Sequence, residues 1–137
     1  MVSGANHGKF FMIDCIFCEF QTTDRIVSEN KLACVMRDAF PVTKYHTLII
    51  PKRHVIDYFE LNKDELSAID DLLHSQKLEI ESLDPKVGGY NIGWNCGEIG
   101  GQSIWHAHVH LIPRRAGDVE YPKGGVRHVI PLKCNYE

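Results

Sequence analysis

Apolar residues alternate with polar ones, or form short runs, in four segments of the chain. The segments are KLACVMRD (31–38), HTLIIP (46–51), GYNIGWN (89–95) and IWHAHVHLI (104–112). Alternation predicts β-strands, because successive side chains on a strand point to opposite faces of the sheet. The turn-forming residues CGEIGGQ (96–102) predict that the last two strands pair as a β-hairpin.

The fourth segment carries three histidines at two-residue spacing. Read as a strand, it places His106, His108 and His110 on one face, with neighbours about 6.6 Å apart. Pro113 cannot donate a hydrogen bond to the sheet, so the strand is predicted to end there. The other face is predicted to pack on the core through the intervening apolar residues Trp105, Ala107, Val109 and Leu111.

One segment, NKDELSAIDDLLHSQKLEIESLDP (62–85), predicts a long helix. Asn62 is suited to cap it together with Glu65, and Pro85 closes it. The helical spacing is carried by Leu66, Ile69, Leu73, Ile80 and Leu83. Antiparallel strands with one long helix predict an α+β fold.

The chain has 137 residues, which suits a single domain. Residues 1–9 are small and polar, and we predict that residues 1–12 form a flexible leader. The domain is predicted to span residues 13–137, including a C-terminal arm, GDVEYPKGGVRHVIPLKCNYE, that is broken by Gly and Pro.

Charge and composition narrow the classes of partner and location. The 15 basic and 18 acidic side chains give a formal charge of −3, which does not predict nucleic-acid binding. No run of 18 apolar residues predicts a membrane span, and no secretory leader is evident, so a cytoplasmic protein is expected. The five cysteines are then expected to be thiols, some of them bound to metal, rather than disulfides.

Two chemistries suit the three histidines. They could be three ligands of a catalytic metal, or one could act as a nucleophile while the others bind an anion. Cys15 and Cys18 have the spacing that binds one tetrahedral metal, and thiolates with imidazoles suit zinc. A thioredoxin-type redox pair is the other reading of that spacing, but no βαβ pattern surrounds it. The residues alone leave the two histidine chemistries open.

The segment QSIWHAHVHLIPR (102–114) resembles the signature His-φ-His-φ-His-φ-φ, where φ is apolar, of the HIT (histidine triad) family of nucleotide hydrolases and transferases. The resemblance extends from residue 13 to about residue 131, through IDCIFCEF (13–20), HTLIIPKRH (46–54), NCGEIGGQS (95–103) and GGVRHVIP (124–131). It implies an α+β fold with a five-stranded antiparallel sheet, one long helix and short helices. It also implies a homodimer and places the chain in the zinc-containing branch of the family.

The resemblance implies a role for each matching residue. His108 would be the nucleophile that attacks the α-phosphorus of a nucleotide and forms a nucleotidyl-histidine. His110 and His46 would contact the phosphate oxygens, and Asp38 would bind the ribose hydroxyls. The catalytic set would also include Ser103, and further substrate contacts would come from Asn95, Gly101 and Gln102. Structural Zn²⁺ would be held by Cys15, Cys18, His54 and His106.

The function implied is a phosphoramidase or hydrolase that cleaves adenosine nucleotides at the α-phosphate. Three alternatives stay open: a hydrolase of dinucleoside polyphosphates such as diadenosine tetraphosphate, a metal-dependent hydrolase, and a module that binds nucleotides without turnover. Phe17 and Phe40 are apolar enough to wall a purine pocket, although core packing would account for them equally well. His128 in the arm is either a surface residue or a contact to a neighbouring subunit.

Overall fold

A computed structural model describes residues 14–136 as a five-stranded antiparallel sheet with helices on both faces. The strand order is β1-β2-β3-β5-β4. The strands are β1 (Ile26–Glu29), β2 (Ala33–Arg37), β3 (Thr47–Pro51), β4 (Val87–Trp94) and β5 (Val109–Arg115). The predicted fold class is therefore confirmed, and β1 is the strand that the sequence pattern did not predict. The leader expected over residues 1–12 lies outside the described residues.

Within residues 14–136, two α-helices and three 3-10 helices accompany the sheet. The α-helices are α1 (Ile16–Phe20) and α2 (Lys63–Leu83), and the 3-10 helices are Tyr58–Glu60, Gly125–Val129 and Pro131–Lys133. The predicted cap of α2 is confirmed: the Glu65 amide donates to Asn62 Oδ1 at 2.8 Å, and the Asn62 amide donates to Glu65 Oε1 at 3.0 Å. This reciprocal pair satisfies two amides that a helix start leaves unpaired.

The sheet is covered on both faces at its centre, which explains the continuous apolar runs in β2 and β3. On one face α2 packs Ile69 and Leu72 against the sheet. On the other face α1 packs Phe17 against it. The α2 face of the sheet is built from Ala33, Val35, Ile49 and Val109, and the α1 face from Cys34, Met36, Leu48 and Ile50. Phe17 is thus a core residue, whereas Phe40 is 88% exposed.

Strand β5 differs from its predicted bounds at both ends. It begins at Val109, so only His110 of the three histidines lies in the strand, and Trp105 is 45% exposed instead of packing in the core. It also continues through Pro113 to Arg115. The Pro113 carbonyl faces away from β4 and accepts from the Thr43 hydroxyl at 2.7 Å, beyond the last paired residue of β3. The missing amide therefore falls where the sheet needs no donor.

Candidate functional site

Two cysteines and two histidines form a buried cluster between α1 and the sheet. Cys15 and Cys18 lie at the start of α1, His54 follows β3, and His106 precedes β5. One ligand atom from each residue lies within 4.8 Å of the others. The Cys15 Sγ is 3.3 Å and the Cys18 Sγ 3.5 Å from His106 Nδ1, and His54 Nδ1 is 3.2 Å from His106 Nδ1. The structure thus brings together all four of the predicted zinc ligands.

The protonation of this cluster suits a metal ion. His106 Nε2 donates to the Pro51 carbonyl at 2.8 Å, so the lone pair of His106 Nδ1 points at the thiols. The pKa of Cys15 is lowered to about 3, chiefly by a hydrogen bond from the Cys18 thiol and against the opposing effect of burial. A thiolate and an oriented neutral imidazole are the donors that zinc prefers, so this donor set fits that ion.

The second triad histidine, His108, is buried and neutral. Its Nδ1 donates to the His106 carbonyl at 2.8 Å, which leaves the lone pair on Nε2. Burial lowers its pKa, although the hydrogen bond to His106 opposes that effect. The Phe17 and His108 rings pack edge to face with ring centroids 5.0 Å apart. His106 therefore contributes to two sites: its ring belongs to the Cys/His cluster, and its carbonyl orients His108.

The third triad histidine, His110, belongs to a chain of hydrogen bonds. The Val42 amide donates to His46 Nδ1 at 3.1 Å, so the proton of His46 lies on Nε2. That proton faces His110 Nδ1 at 2.9 Å and Asp38 Oδ2 at 3.4 Å. His110 must then carry its own proton on Nε2. Burial, with His108 and His46 nearby, lowers the pKa of His110 to about 4.

This chain of hydrogen bonds also decides how Asp38, His46 and His110 behave as a group. One possible ligand atom from each of the three lies within 4.8 Å of the others, which is close enough for a metal. The His46 nitrogen nearest to its partners is, however, the protonated one, because the Val42 amide occupies the other. We therefore interpret the group as a hydrogen-bonded network. The Phe40 amide holds the Asp38 carboxylate in place at 2.8 Å.

The glycine-rich loop before β5 is held in a tight conformation. Gly101 has a φ of +96°, and a Cβ on Gly100 would lie 2.4 Å from the Cys96 carbonyl oxygen, so both positions need glycine. The buried Gln102 side chain donates to the Ile56 and Ile104 carbonyls and accepts from the Gly97 amide. Its amide group is therefore engaged with the backbone of the protein. Ser103 next to it is exposed.

A cavity of about 940 Å³ opens beside the triad. Its lining includes His46, His110 and Asn95, together with residues of β4, β5 and the C-terminal arm. Several lining residues were not predicted as site residues, among them Asn91, Ile112, Arg114, Tyr121, Val126 and Val129. No local motif marks them, because it is the fold of the arm over β4 and β5 that brings them together. His128 also lines this cavity and donates from Nε2 to the Lys123 carbonyl at 3.2 Å.

The comparisons with known proteins agree with this geometry. A HIT domain model matches residues 19–117. An uncharacterized HIT-like protein of Mycoplasma genitalium is 37% identical over 103 residues, covering 73% of this chain and 72% of that protein. The adenosine 5′-monophosphoramidase of Schizosaccharomyces pombe is 34% identical over 105 residues, covering 74% and 75%. The chain belongs to the HIT family.

A solved structure supports the same assignment. The crystal structure of a zinc-bound histidine triad family protein from Mycobacterium smegmatis matches with a TM-score of 0.69 and 27% identity, covering 77% of this chain and 78% of that one.

Across residues 14–136, the helices are too short or too polar for any of them to cross a membrane.

Proposed function

We propose that this protein, as a member of a family of nucleotide-binding proteins and hydrolases, is a phosphoramidase. It would cleave adenosine nucleotides at the α-phosphate through a covalent intermediate on His108. The observation that carries the proposal is the pairing of ring nitrogens: His108 presents an Nε2 lone pair, and its neighbour His110 presents an Nε2–H. The first is a nucleophile at neutral pH, and the second is a donor for a phosphate oxygen.

The reaction then has two displacements at phosphorus. His108 Nε2 attacks the α-phosphorus, a P–N bond forms, and the bond to the leaving group breaks. The leaving group departs with the electron pair and takes up a proton. Water then attacks the nucleotidyl-histidine, which releases the nucleoside monophosphate and restores the lone pair. The hydrogen bond from His108 Nδ1 to the His106 carbonyl supports the imidazole as its positive charge develops.

The neighbouring residues are proposed to bind the substrate. His110 and His46 would stabilise the charge on the equatorial oxygens during both steps. Asp38 would accept the ribose hydroxyls, and its carboxylate is held beside His46 by the Phe40 amide. The phosphate and its leaving group would also meet Asn95, Ser103 and the backbone of Gly101 and Gln102. The similarity to the S. pombe protein named as a monophosphoramidase supports the proposal of a phosphoramidate substrate for this chain.

Zinc at Cys15, Cys18, His54 and His106 is proposed to be structural. When bound, the ion would link α1 to the segment after β3 and to the segment before β5. Its binding would add to the free energy of folding. A catalytic metal held by all three triad histidines is disfavoured by their geometry. His106 turns its free nitrogen toward the cysteines, whereas His108 Nδ1 is engaged by a backbone carbonyl.

The chain is further proposed to form a homodimer. β4 is an edge strand of the sheet, and Ile92 on it is 51% exposed. An edge strand with an apolar side chain in water is suited to pair with another chain. Size-exclusion chromatography with light scattering would test this, and a monomer mass at micromolar concentration would contradict it. The cytoplasmic location of the protein stays a prediction.

Intact-protein mass spectrometry tests the proposed function. The protein is quenched in base during turnover of adenosine 5′-phosphoramidate, because acid would hydrolyse the P–N bond of the adduct, and the wild type is compared with His108→Ala. An adenylyl adduct in the wild type alone would support the nucleophile. Turnover without an adduct, lost when metal is removed from still-folded protein, would favour metal catalysis. Tight binding of adenosine monophosphate without turnover would identify a binding module.

A further inference from the structure

The residue before His46 has an unusual backbone conformation. Within residues 14–136, Tyr45 is the one residue other than glycine with a positive φ, at +70°. A left-handed backbone brings Cβ close to the following carbonyl oxygen, so a bulky residue rarely adopts it. A residue keeps such a conformation only where the surrounding structure imposes it, and such residues concentrate at functional sites.

The conformation belongs to a tight turn over residues 43–46. The His46 amide donates to the Thr43 carbonyl at 3.1 Å, which makes Tyr45 the third residue of the turn. A turn with a positive φ at its third residue ordinarily has Gly or Asn there. Because the turn ends at His46, its geometry sets the direction in which the His46 side chain leaves the backbone.

All four carbonyls of this turn accept hydrogen bonds. Their donors, in chain order of the carbonyls, are the His46 amide, the Arg115 guanidinium, the Thr47 hydroxyl and the Asp38 amide. The bond from Thr47 is the shortest, at 2.7 Å, and it is made to the carbonyl of Tyr45 itself. Rotation of any peptide in the turn would break one of these bonds, so the turn is held in one conformation.

The Thr47 hydroxyl is oriented by a buried polar network. Arg37 Nη1 donates to Thr47 Oγ1 at 2.8 Å and to Gln76 Oε1 of α2 at 2.6 Å. Because Arg37 donates to the hydroxyl oxygen, the hydroxyl proton is left for the Tyr45 carbonyl. Thr47 and Gln76 are both buried, so water does not compete for these bonds.

The Tyr45 side chain supplies a second restraint. Its half-buried ring packs against the core residues Ile80, Val87 and Leu111, on the α2 face of the sheet. The next side chain, His46, contacts His110, which lies on the opposite face from Leu111 because the two are neighbours in β5. The ring therefore anchors the turn on one face while His46 points to the site on the other.

We propose that Tyr45 is a positioning residue for His46. Its left-handed backbone, imposed by the Thr47 hydroxyl and by the packed ring, directs the His46 imidazole to the Val42 amide and to His110. With a negative φ at residue 45, the His46 amide would turn away from Thr43 and the imidazole would leave both partners. The inference rests on the proposed function only in taking His46 to bind the phosphate.

Three substitutions at Tyr45 form the first test. Tyr45→Gly, Tyr45→Asn and Tyr45→Ala all remove the ring, but Gly and Asn tolerate a left-handed backbone that Ala disfavours. Circular dichroism checks that each variant is folded. With adenosine 5′-phosphoramidate, the kcat of Tyr45→Ala is expected to be about fivefold or more below that of Tyr45→Gly and Tyr45→Asn. Equal kcat values in the three variants would overturn the proposal.

Removal of the Thr47 hydroxyl is the second test. Thr47→Val keeps the shape of the side chain, and Thr47→Ser is the matched control because it keeps the hydroxyl. Thr47→Val is expected to lower kcat about fivefold or more relative to Thr47→Ser. Added to Tyr45→Gly, it should lower kcat about twofold or less, because glycine is left-handed without support. The same loss in both backgrounds would refute the link between the hydroxyl and Tyr45.

Nuclear magnetic resonance separates this proposal from the proposed function. Spectra that correlate imidazole nitrogens with ring protons report which nitrogen of His46 is protonated, without any substrate. Burial lowers the pKa of His46, so its ring is neutral at pH 8. The proton is expected on Nε2 in the wild type and in Tyr45→Gly, and on a mixture of the two nitrogens in Tyr45→Ala.

The two failures then give different results. The same His46 signals in Tyr45→Gly and Tyr45→Ala would overturn the positioning role, whatever the protein hydrolyses. Absence of turnover and of an adduct in the wild type would refute the phosphoramidase. The expected difference between the His46 signals would still support the positioning role in that case.

Discussion

Protonation of His110 is predicted to destabilise the folded protein in mild acid. The pKa of this imidazole falls from 6.5 to about 4 because burial and the neighbouring His108 and His46 disfavour its charge. Between these values the unfolded chain binds a proton that the folded chain refuses, so the free energy of unfolding decreases as the pH falls. The stability that the folded protein has with a neutral His110 is therefore fully present above pH 6.5. It is lost progressively as the pH falls toward the folded pKa of about 4.

The magnitude follows from the size of the pKa shift. Between pH 7 and pH 4.5, linkage gives a loss of about 2 kcal/mol from this one side chain. His110→Asn removes the titration and keeps an acceptor near the position of Nδ1. The decrease in the free energy of unfolding over this pH range should therefore be about 2 kcal/mol smaller in His110→Asn than in the wild type. Other titrating groups lower the free energy of unfolding equally in both proteins, so their contributions cancel in the comparison.

Urea unfolding followed by circular dichroism at pH 7 and pH 4.5 provides the measurement. His74→Asn is the matched control, because the His74 side chain is 75% exposed on α2. It should follow the wild type at both pH values. Equal pH dependence of His110→Asn and the wild type would refute the reasoning that burial and the two neighbouring imidazoles keep His110 neutral.

Three further predictions concern the cluster, the helix cap and the nucleophile. Cys15→Ser should lower the free energy of unfolding of the zinc-loaded protein by about 4 kcal/mol or more, and Cys96→Ser, outside the cluster, by about 0.5 kcal/mol or less, in urea titrations. Glu65→Ala should cost about 2 kcal/mol in the same assay, because it removes the carboxylate that pairs with the Arg53 guanidinium, 2.7 Å from Oε1, and opens the cap. The lowered pKa of His108 predicts that any decline of kcat/KM in acid has its midpoint below pH 6.5, and a midpoint at 6.5 or above would contradict it.

Much of the candidate site depends on contacts that the sequence pattern could not predict. The triad motif indicates which histidines matter, but not which ring nitrogen each one presents. That choice comes from the Pro51 carbonyl for His106, the His106 carbonyl for His108 and the Val42 amide for His46. Two of these three partners lie in other segments of the fold or across a turn, and no spacing rule identifies them.

The sequence by itself determined the elements whose stabilising contacts are local. The cap of α2 joins residues three apart, and the two cysteines share one helical turn, so short-range spacing is enough to predict both. Only the tertiary structure decided where β5 begins, why it continues past Pro113, and how the arm forms a cavity together with β4 and β5. The reason is physical: exposure, tautomer and net charge at a site depend on groups brought close by folding, and these groups are distant along the chain.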